Sequence, residues 1–325
     1  MKNIFILVFI LLSSISSFAE KIVSLPDVLK PHSMAVDSHQ LYICEGPVIS
    51  IYSLEDFRLI RKFGRKGEGP LEFKGSARVK CRTDHLIVQS SGKVALFKKN
   101  GDLIKEMKAL NPFYGDFEPL HDQYVATEYD FRENQRIILF NSNLEKINDI
   151  YQAKIPKKRG EIFDTPFLVH TSEDKIFIAA NKEFIIEVFD IKLKKLFSIE
   201  RDYQLIEITK AYIEDFFESY RTSPVTKSFY NGFKKIAKFP SHFPAIRNFI
   251  IEDGKIYVFT YKTIDNSTEF FIFNEDGGFV KSVFLPVIDK EIMSPAIFRI
   301  KNGNLYHLVE NEESDEWELR ISAVN

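Results

Sequence analysis

Short apolar runs recur along the chain, each broken by a polar turn and resumed as an apolar-aromatic-apolar run. The pattern is seen in MAVDSHQLYIC, ARVKCRTDHLIV, EPLHDQYVAT, FLVHTSEDKIFIA, FIIEDGKIYVF and IFRIKNGNLYHLV. With Tyr42, Ile87, Val125, Phe177, Tyr257 and Tyr306 as the repeated position, the spacings are about 45, 38, 52, 80 and 49 residues. Four of the five are close to the length of a four-stranded blade. Period-2 alternation over runs this short predicts strands, not helices.

Each copy continues in the same way. A third strand follows (VISIYS, KVALFKK, RIILFNS, FIIEVFD, EFFIFNE), then a turn such as KNGD or NEDGG, then a fourth strand (LIRKFG, LIKEM, KLFSI, VKSVFL). Six such units, none able to bury both of its faces alone, predict an all-β, six-bladed β-propeller. The last unit has only three strands, ending at Trp317 to Ala323. KIVSLP (21–26) matches KSVFLP (281–286), the fourth strand of blade five, so the N-terminal segment is expected to close the ring as the missing strand.

One interval is long. About Tyr203 to Pro244, between blades four and five, carries Ile208, Tyr212, Ile213, Phe216, Phe217 and Tyr220 at helical spacing. A short helical insertion is expected there, with SFYNGFKKIAKF as a second helix, capping the propeller face or acting as a lid or partner-binding pair.

The bulk numbers narrow the function classes. Residues 1–19 have one lysine, an apolar run from Ile4 to Leu12, and Ser17 and Ala19 in small-residue positions, the pattern of a secretory signal. That run is too short to span a bilayer. Export to the periplasm or medium is expected, with a monomeric chain of residues 20–325. A net charge of −2 with 28% charged residues supplies no basic field for nucleic acid. The 31 phenylalanines and 13 tyrosines suit pleated, half-buried surfaces. Cys44 and Cys81 fall at opposite ends of neighbouring strands, beyond bridging geometry, and are expected as free, buried thiols.

FGRKGEGPLEF, Phe63 to Phe73, is rich in glycine, but Gly64, Gly67 and Gly69 fit neither the phosphate-loop nor the dinucleotide-loop spacing, and a strand follows instead of a helix. It is expected to turn a corner between blades. With the ARVKC that follows, it resembles the connector of NHL-type six-bladed propellers. KFPSHFPAIRNFIIEDGKIYVF resembles the Phe-Pro lead-in of secreted bacterial six-bladed propellers of unknown function. Together the likeness spans nearly the whole mature chain and implies a fold, not an activity.

The inner strands nominate Arg78, Glu118, His170, Arg247 and Arg299 as channel-lining, ligand-binding candidates. Three arginines around one pore favour an anionic ligand through bidentate pairing, or act as partners to carboxylates of neighbouring blades. The loops ENEESDEW (310–317) and EYDFREN (128–134) are expected as solvated tips on the insertion-bearing face, with calcium as the sharper alternative. CEGPV (44–48) resembles the segment that supplies a metal-binding glutamate in gluconolactonase-like propellers, but it follows a second strand instead of opening a first. No Ser/His/Asp order, HExxH or CxxC is present. The leading expectation is therefore an exported binding propeller, without a cofactor, that holds a small ligand or protein on the insertion-bearing face. The alternative is a metal-dependent lyase or lactonase that would place zinc or calcium at Glu118 or His170. A structural component of a surface assembly would need neither ligand nor metal.

Overall fold

The computed structural model describes residues 20–108, 114–130, 134–154, 160–163, 167–172, 174–180, 182–289 and 295–324. The signal segment expected over 1–19 and positions 131–133 of the 128–134 loop lie outside them. The described residues form six four-stranded antiparallel sheets and one two-stranded parallel pair. The inner strands are Ser33–Val36, Arg78–Cys81, Tyr114–Leu120, Leu168–Thr171, Asn248–Glu252 and Ile297–Lys301. The repeated position holds in register: Tyr42, Ile87, Val125, Phe177, Tyr257 and Tyr306 pair with Ala35, Lys80, Glu118, His170, Ile250 and Arg299. In the sixth sheet the N-terminal strand Lys21–Ser24 lies outermost and antiparallel to Glu316–Ala323, with Lys21 opposite Ile321 and Ser24 opposite Glu318.

Side chains along a strand alternate between the sheet's two faces, so each sheet buries one face against the blade before it and one against the blade after. Six apolar clusters fill the six interfaces. Ala35, Tyr42, Phe97 and Val79 join the first blade to the second, and Phe177, Phe249, Ile256 and Phe273 join the fourth to the fifth. Leu25, Met34, Tyr306 and Leu319 join the sixth back to the first. Phe177 and Phe249 are fully buried, each worth roughly 1.5–3 kcal/mol in transfer free energy. Cys44 and Cys81 are free; Cys44 is buried as expected, Cys81 is only half-buried at the cavity wall, and burial pushes both thiols up to about 12.

The glycine stretch is a corner. Gly64 has φ +83°, and a Cβ there would meet the Pro47 carbonyl oxygen at 2.4 Å. Arg65–Lys66 and Glu72–Phe73 pair in parallel across the loop. The loop's amides find carboxylates in the loop and in the next blade: Gly69 N–H donates to Glu72 at 2.8 Å and Leu71 N–H to Glu106 at 2.9 Å. Lys93 Nζ donates to the carbonyls of Gly69 and Glu72 at 2.8 and 2.9 Å. Carboxylates thus occupy amides that a phosphate loop would present to its ligand.

The long interval folds as α1 (Lys210–Thr222), a 3-10 turn (Lys227–Phe229) and α2 (Tyr230–Ile236). Thr209 caps α1 by accepting from Tyr212 N–H at 3.2 Å. The two helices share an aromatic core of their own: Tyr220 stacks on Phe233 at 4.2 Å, and Phe216 meets Phe239 edge-on at 5.1 Å. Backbone bonds stitch this unit to the connector before blade four, Ile162 N–H to Lys238 at 2.9 Å and Lys238 N–H to Gly160 at 2.7 Å.

Candidate functional site

The inner strands surround one continuous cavity of about 1640 Å³, lined by all five residues that the sequence nominated. Arg78 opens its strand and Arg247 directly precedes Asn248–Glu252, its N–H bonded to Phe259 O at 2.9 Å, so both stand at the mouth on the insertion-bearing face. Glu118, His170 and Arg299 occupy the repeated position in the middle of the channel. At that level Ala35 is the equivalent residue of blade one and Ile250 that of blade five.

A relay of side chains crosses four blades. Lys80 Nζ pairs with Glu118, His170 Nδ1 lies 3.0 Å from the same carboxylate, and His170 Nε2 lies 3.0 Å from Asn248 Oδ1. Burial alone would raise the Glu118 carboxyl; Lys80 and His170 beside it outweigh burial and hold it at about 2. Asn248 Oδ1 also accepts from Phe249 N–H at 2.8 Å, which fixes the orientation of its amide. Both imidazole nitrogens therefore face oxygen acceptors, an arrangement that suits a ring carrying a proton on each nitrogen. Lys80 and His170 thus flank one buried carboxylate. Phe249 holds the ring edge-on at 4.6 Å.

At the mouth, Arg247 pairs with Asp289, whose other oxygen accepts from Ala296 N–H at 2.8 Å. The Arg247 guanidinium lies 5.6 Å from the ring of Tyr261 and 5.9 Å from that of Phe259. Tyr261 stacks on Phe243 at 4.4 Å, and Tyr212 of α1 meets Phe243 edge-on at 4.8 Å. Burial pushes the phenols of Tyr212 and Tyr261 up to about 12. The insertion thus builds an aromatic wall beside the mouth. At the opposite end, Lys99 pairs with Asp37 at 2.9 Å, and Lys301 binds Glu252 and Asp253 at 2.6 and 2.8 Å.

Arg247 pairs with a carboxylate, but one from the connector that leaves its own blade, not from a neighbouring blade as one reading of the arginines expected. Arg299 donates to the Phe298 carbonyl at 2.7 Å and lies close enough to Cys44 and Cys81 to favour their thiolates electrostatically. Sequence reasoning passed over Lys80 and Asn248. Lys80 was recoverable, since it shares the repeated position with Glu118 and His170. Asn248 was not, because its role depends on the rotamer of a histidine one blade away.

The remaining candidates have local duties. Glu45 of CEGPV accepts from the N–H groups of Leu29 and Lys30 at 2.7 and 2.8 Å, pinning the segment after the N-terminal strand. In the 310–317 loop, Asn311 Oδ1 accepts from Glu313 N–H at 2.9 Å, and Glu316 accepts from Ser24 at 2.8 Å. Among the described residues no group of three or more His, Cys, Asp or Glu is arranged to hold a metal ion.

No family model matches the chain, and no curated protein matches it by sequence. Solved structures do resemble it. A protein described as a candidate exported protein of Bacteroides fragilis aligns with TM-score 0.58 and 9% identity, covering 95% of each chain. A member of the DUF4221 family from Bacteroides vulgatus aligns with TM-score 0.56 and 9% identity, covering 94% of this chain and 95% of that one. A chain of the mitotic checkpoint complex aligns with TM-score 0.51 and 9% identity over 94% and 91%. At such identities the likeness establishes the propeller fold and nothing about chemistry. No helix among the described residues is long and apolar enough to cross a membrane.

Proposed function

We propose that this chain is an exported binding propeller that takes a small polar ligand bearing an anionic group into its channel, through the mouth beside the helical insertion. One observation carries the reading: Arg78, Arg247, Arg299 and the Lys80–Glu118–His170 relay, drawn from five blades, line a single cavity. The relay holds the Lys80 ammonium fixed on Glu118 at the cavity wall, so its positive charge faces the channel without rearrangement. Arg247 is held by Asp289 and the Tyr261 ring, which aims its remaining donors and gives the mouth an aromatic side for the ligand's apolar edge. Export is supported by the signal pattern in residues 1–19 and by the description of the Bacteroides fragilis neighbour. The NHL-type likeness stays with the 63–73 connector.

Calorimetric titration with sulfate, citrate and glucuronate, with glucose as the neutral control, tests the proposal. Saturable one-to-one binding of an anion, weakened about tenfold or more by Arg78→Gln or Arg299→Gln, supports it. No binding of any of the three, or binding that both variants retain in full, overturns it. Elemental analysis of the exported protein separates this reading from the lyase or lactonase. Both nitrogens of His170 are engaged and Lys80 sits on Glu118, so no stoichiometric zinc or calcium is expected after dialysis. A retained metal would favour the enzyme.

A further inference from the structure

The tip of the helical insertion carries a feature that the channel does not use. From Ser219 to Ile251 the chain has no Asp or Glu, yet it holds Lys227, Lys234, Lys235 and Lys238, besides Arg221, which pairs with Glu218, and Arg247 at the channel mouth. In a protein of net charge −2 this is a sharp local excess of positive charge. The same tip exposes large apolar side chains: Val225 is 79% and Phe229 67% accessible, with Ile236 also exposed. Phe229 ends the 3-10 turn that Lys227 begins, and Ile236 ends α2 directly after Lys234 and Lys235, so exposed apolar groups and lysines alternate along this segment.

The hairpin has a filled interior without them. Phe216, Tyr220, Phe233 and Phe239 pack on one another, and Lys234 lies 5.5 Å from the rings of Phe217 and Tyr230. Among the described residues, Lys227, Lys235 and Lys238 have no carboxylate within ion-pair distance. Exposed aromatic and aliphatic groups ringed by lysines are how a segment lies in a membrane interface. The apolar groups enter the headgroup boundary, and the lysine stems lie along it with their charges in the anionic headgroups.

We infer that the insertion tip docks on an anionic lipid surface, with Val225, Phe229 and Ile236 inserted and Lys227, Lys235 and Lys238 paired with phosphates. A docked tip would turn the insertion-bearing mouth toward the bilayer without closing the channel. The inference stands apart from the channel reading, since none of these side chains lines the cavity.

Co-flotation of the mature chain with liposomes tests it, comparing phosphatidylcholine alone with phosphatidylcholine containing phosphatidylglycerol. Binding is expected only with the anionic lipid and should fall as salt is raised. Val225→Ser with Phe229→Ser should reduce it by about tenfold or more. Lys227→Gln, Lys235→Gln and Lys238→Gln should each cost about five-fold. All five positions are exposed, so unchanged far-ultraviolet circular dichroism should show the variants folded. Absence of flotation, equal flotation with neutral lipid, or undiminished binding by the variants overturns the inference. A salt-sensitive dimer seen by ultracentrifugation without lipid binding, lost in the lysine variants, would assign the tip to a second copy, through the acidic 310–317 loop, and overturn it too.

Discussion

Glu118 is 6% accessible and charged, and its neighbours explain why. A buried carboxylate without partners would take up a proton; here Lys80 and His170 outweigh desolvation and hold the group at about 2, below its ordinary value of 4.5. The sign of the pH dependence follows. A carboxyl whose pKa is lower in the folded state contributes stability that is complete above the unfolded value and is lost as pH falls from 4.5 toward 2. The contribution is on the order of 2–4 kcal/mol. Glu118→Gln should therefore destabilise the protein by roughly 2–3 kcal/mol at neutral pH, because Lys80 loses its partner at a half-buried site. It should also flatten the fall in stability between about pH 5 and pH 3. Urea unfolding across that range measures both. A variant that keeps the wild-type acid slope would show that other carboxylates carry it. Adding Lys80→Met should recover part of the loss, as it removes the ammonium left without its partner.

Among the elements, the glycine connector joins local and tertiary demands most tightly. Gly64 needs a left-handed backbone, and the Pro47 carbonyl occupies the space a side chain would take. Gly64→Ala should cost about 2 kcal/mol or more, from backbone strain and displacement of the Cys44–Val48 turn. Differential scanning calorimetry would read this as a lowered Tm; an unchanged Tm would mean that the connector relaxes freely. The corner was legible because both nucleotide-loop spacings fail and a strand follows. How its amides are satisfied was not legible, since Glu106 and Lys93 come from strands of the next blade. The insertion divides in the same way. The 3.6-residue stripe of α1 and the second short helix stand in the sequence, but not that Tyr212 reaches Phe243, which backs the cavity-lining Tyr261. Period and alternation are local quantities, whereas relays and walls depend on which blades become neighbours.

At the scale of the whole molecule, the ring confines the channel only while its first and last blades stay joined. The sixth sheet takes its outermost strand from Lys21–Ser24, and the chain then buries Leu25 and Val28, at 1% and 2% accessibility, in the cluster between blades six and one. Leu25 N–H donates to the Trp317 carbonyl at 2.8 Å, and Trp317 Nε1 donates to the Leu29 carbonyl at 3.2 Å, so the turn after the strand is pinned from both sides. Opening this seam would expose a long strand edge and one face each of two blades, which makes closure the step most sensitive to a single cavity. Leu25→Ala should cost about 2–4 kcal/mol. Hydrogen exchange can tell a weakened seam from uniform loosening. The expected outcome is faster exchange in Lys21–Ser24 and Glu316–Ala323 well below the global midpoint, with blades three and four still protected. Equal acceleration in all six sheets would instead mean that the ring opens only by unfolding as one unit, with the N-terminal strand an ordinary part of its cooperativity.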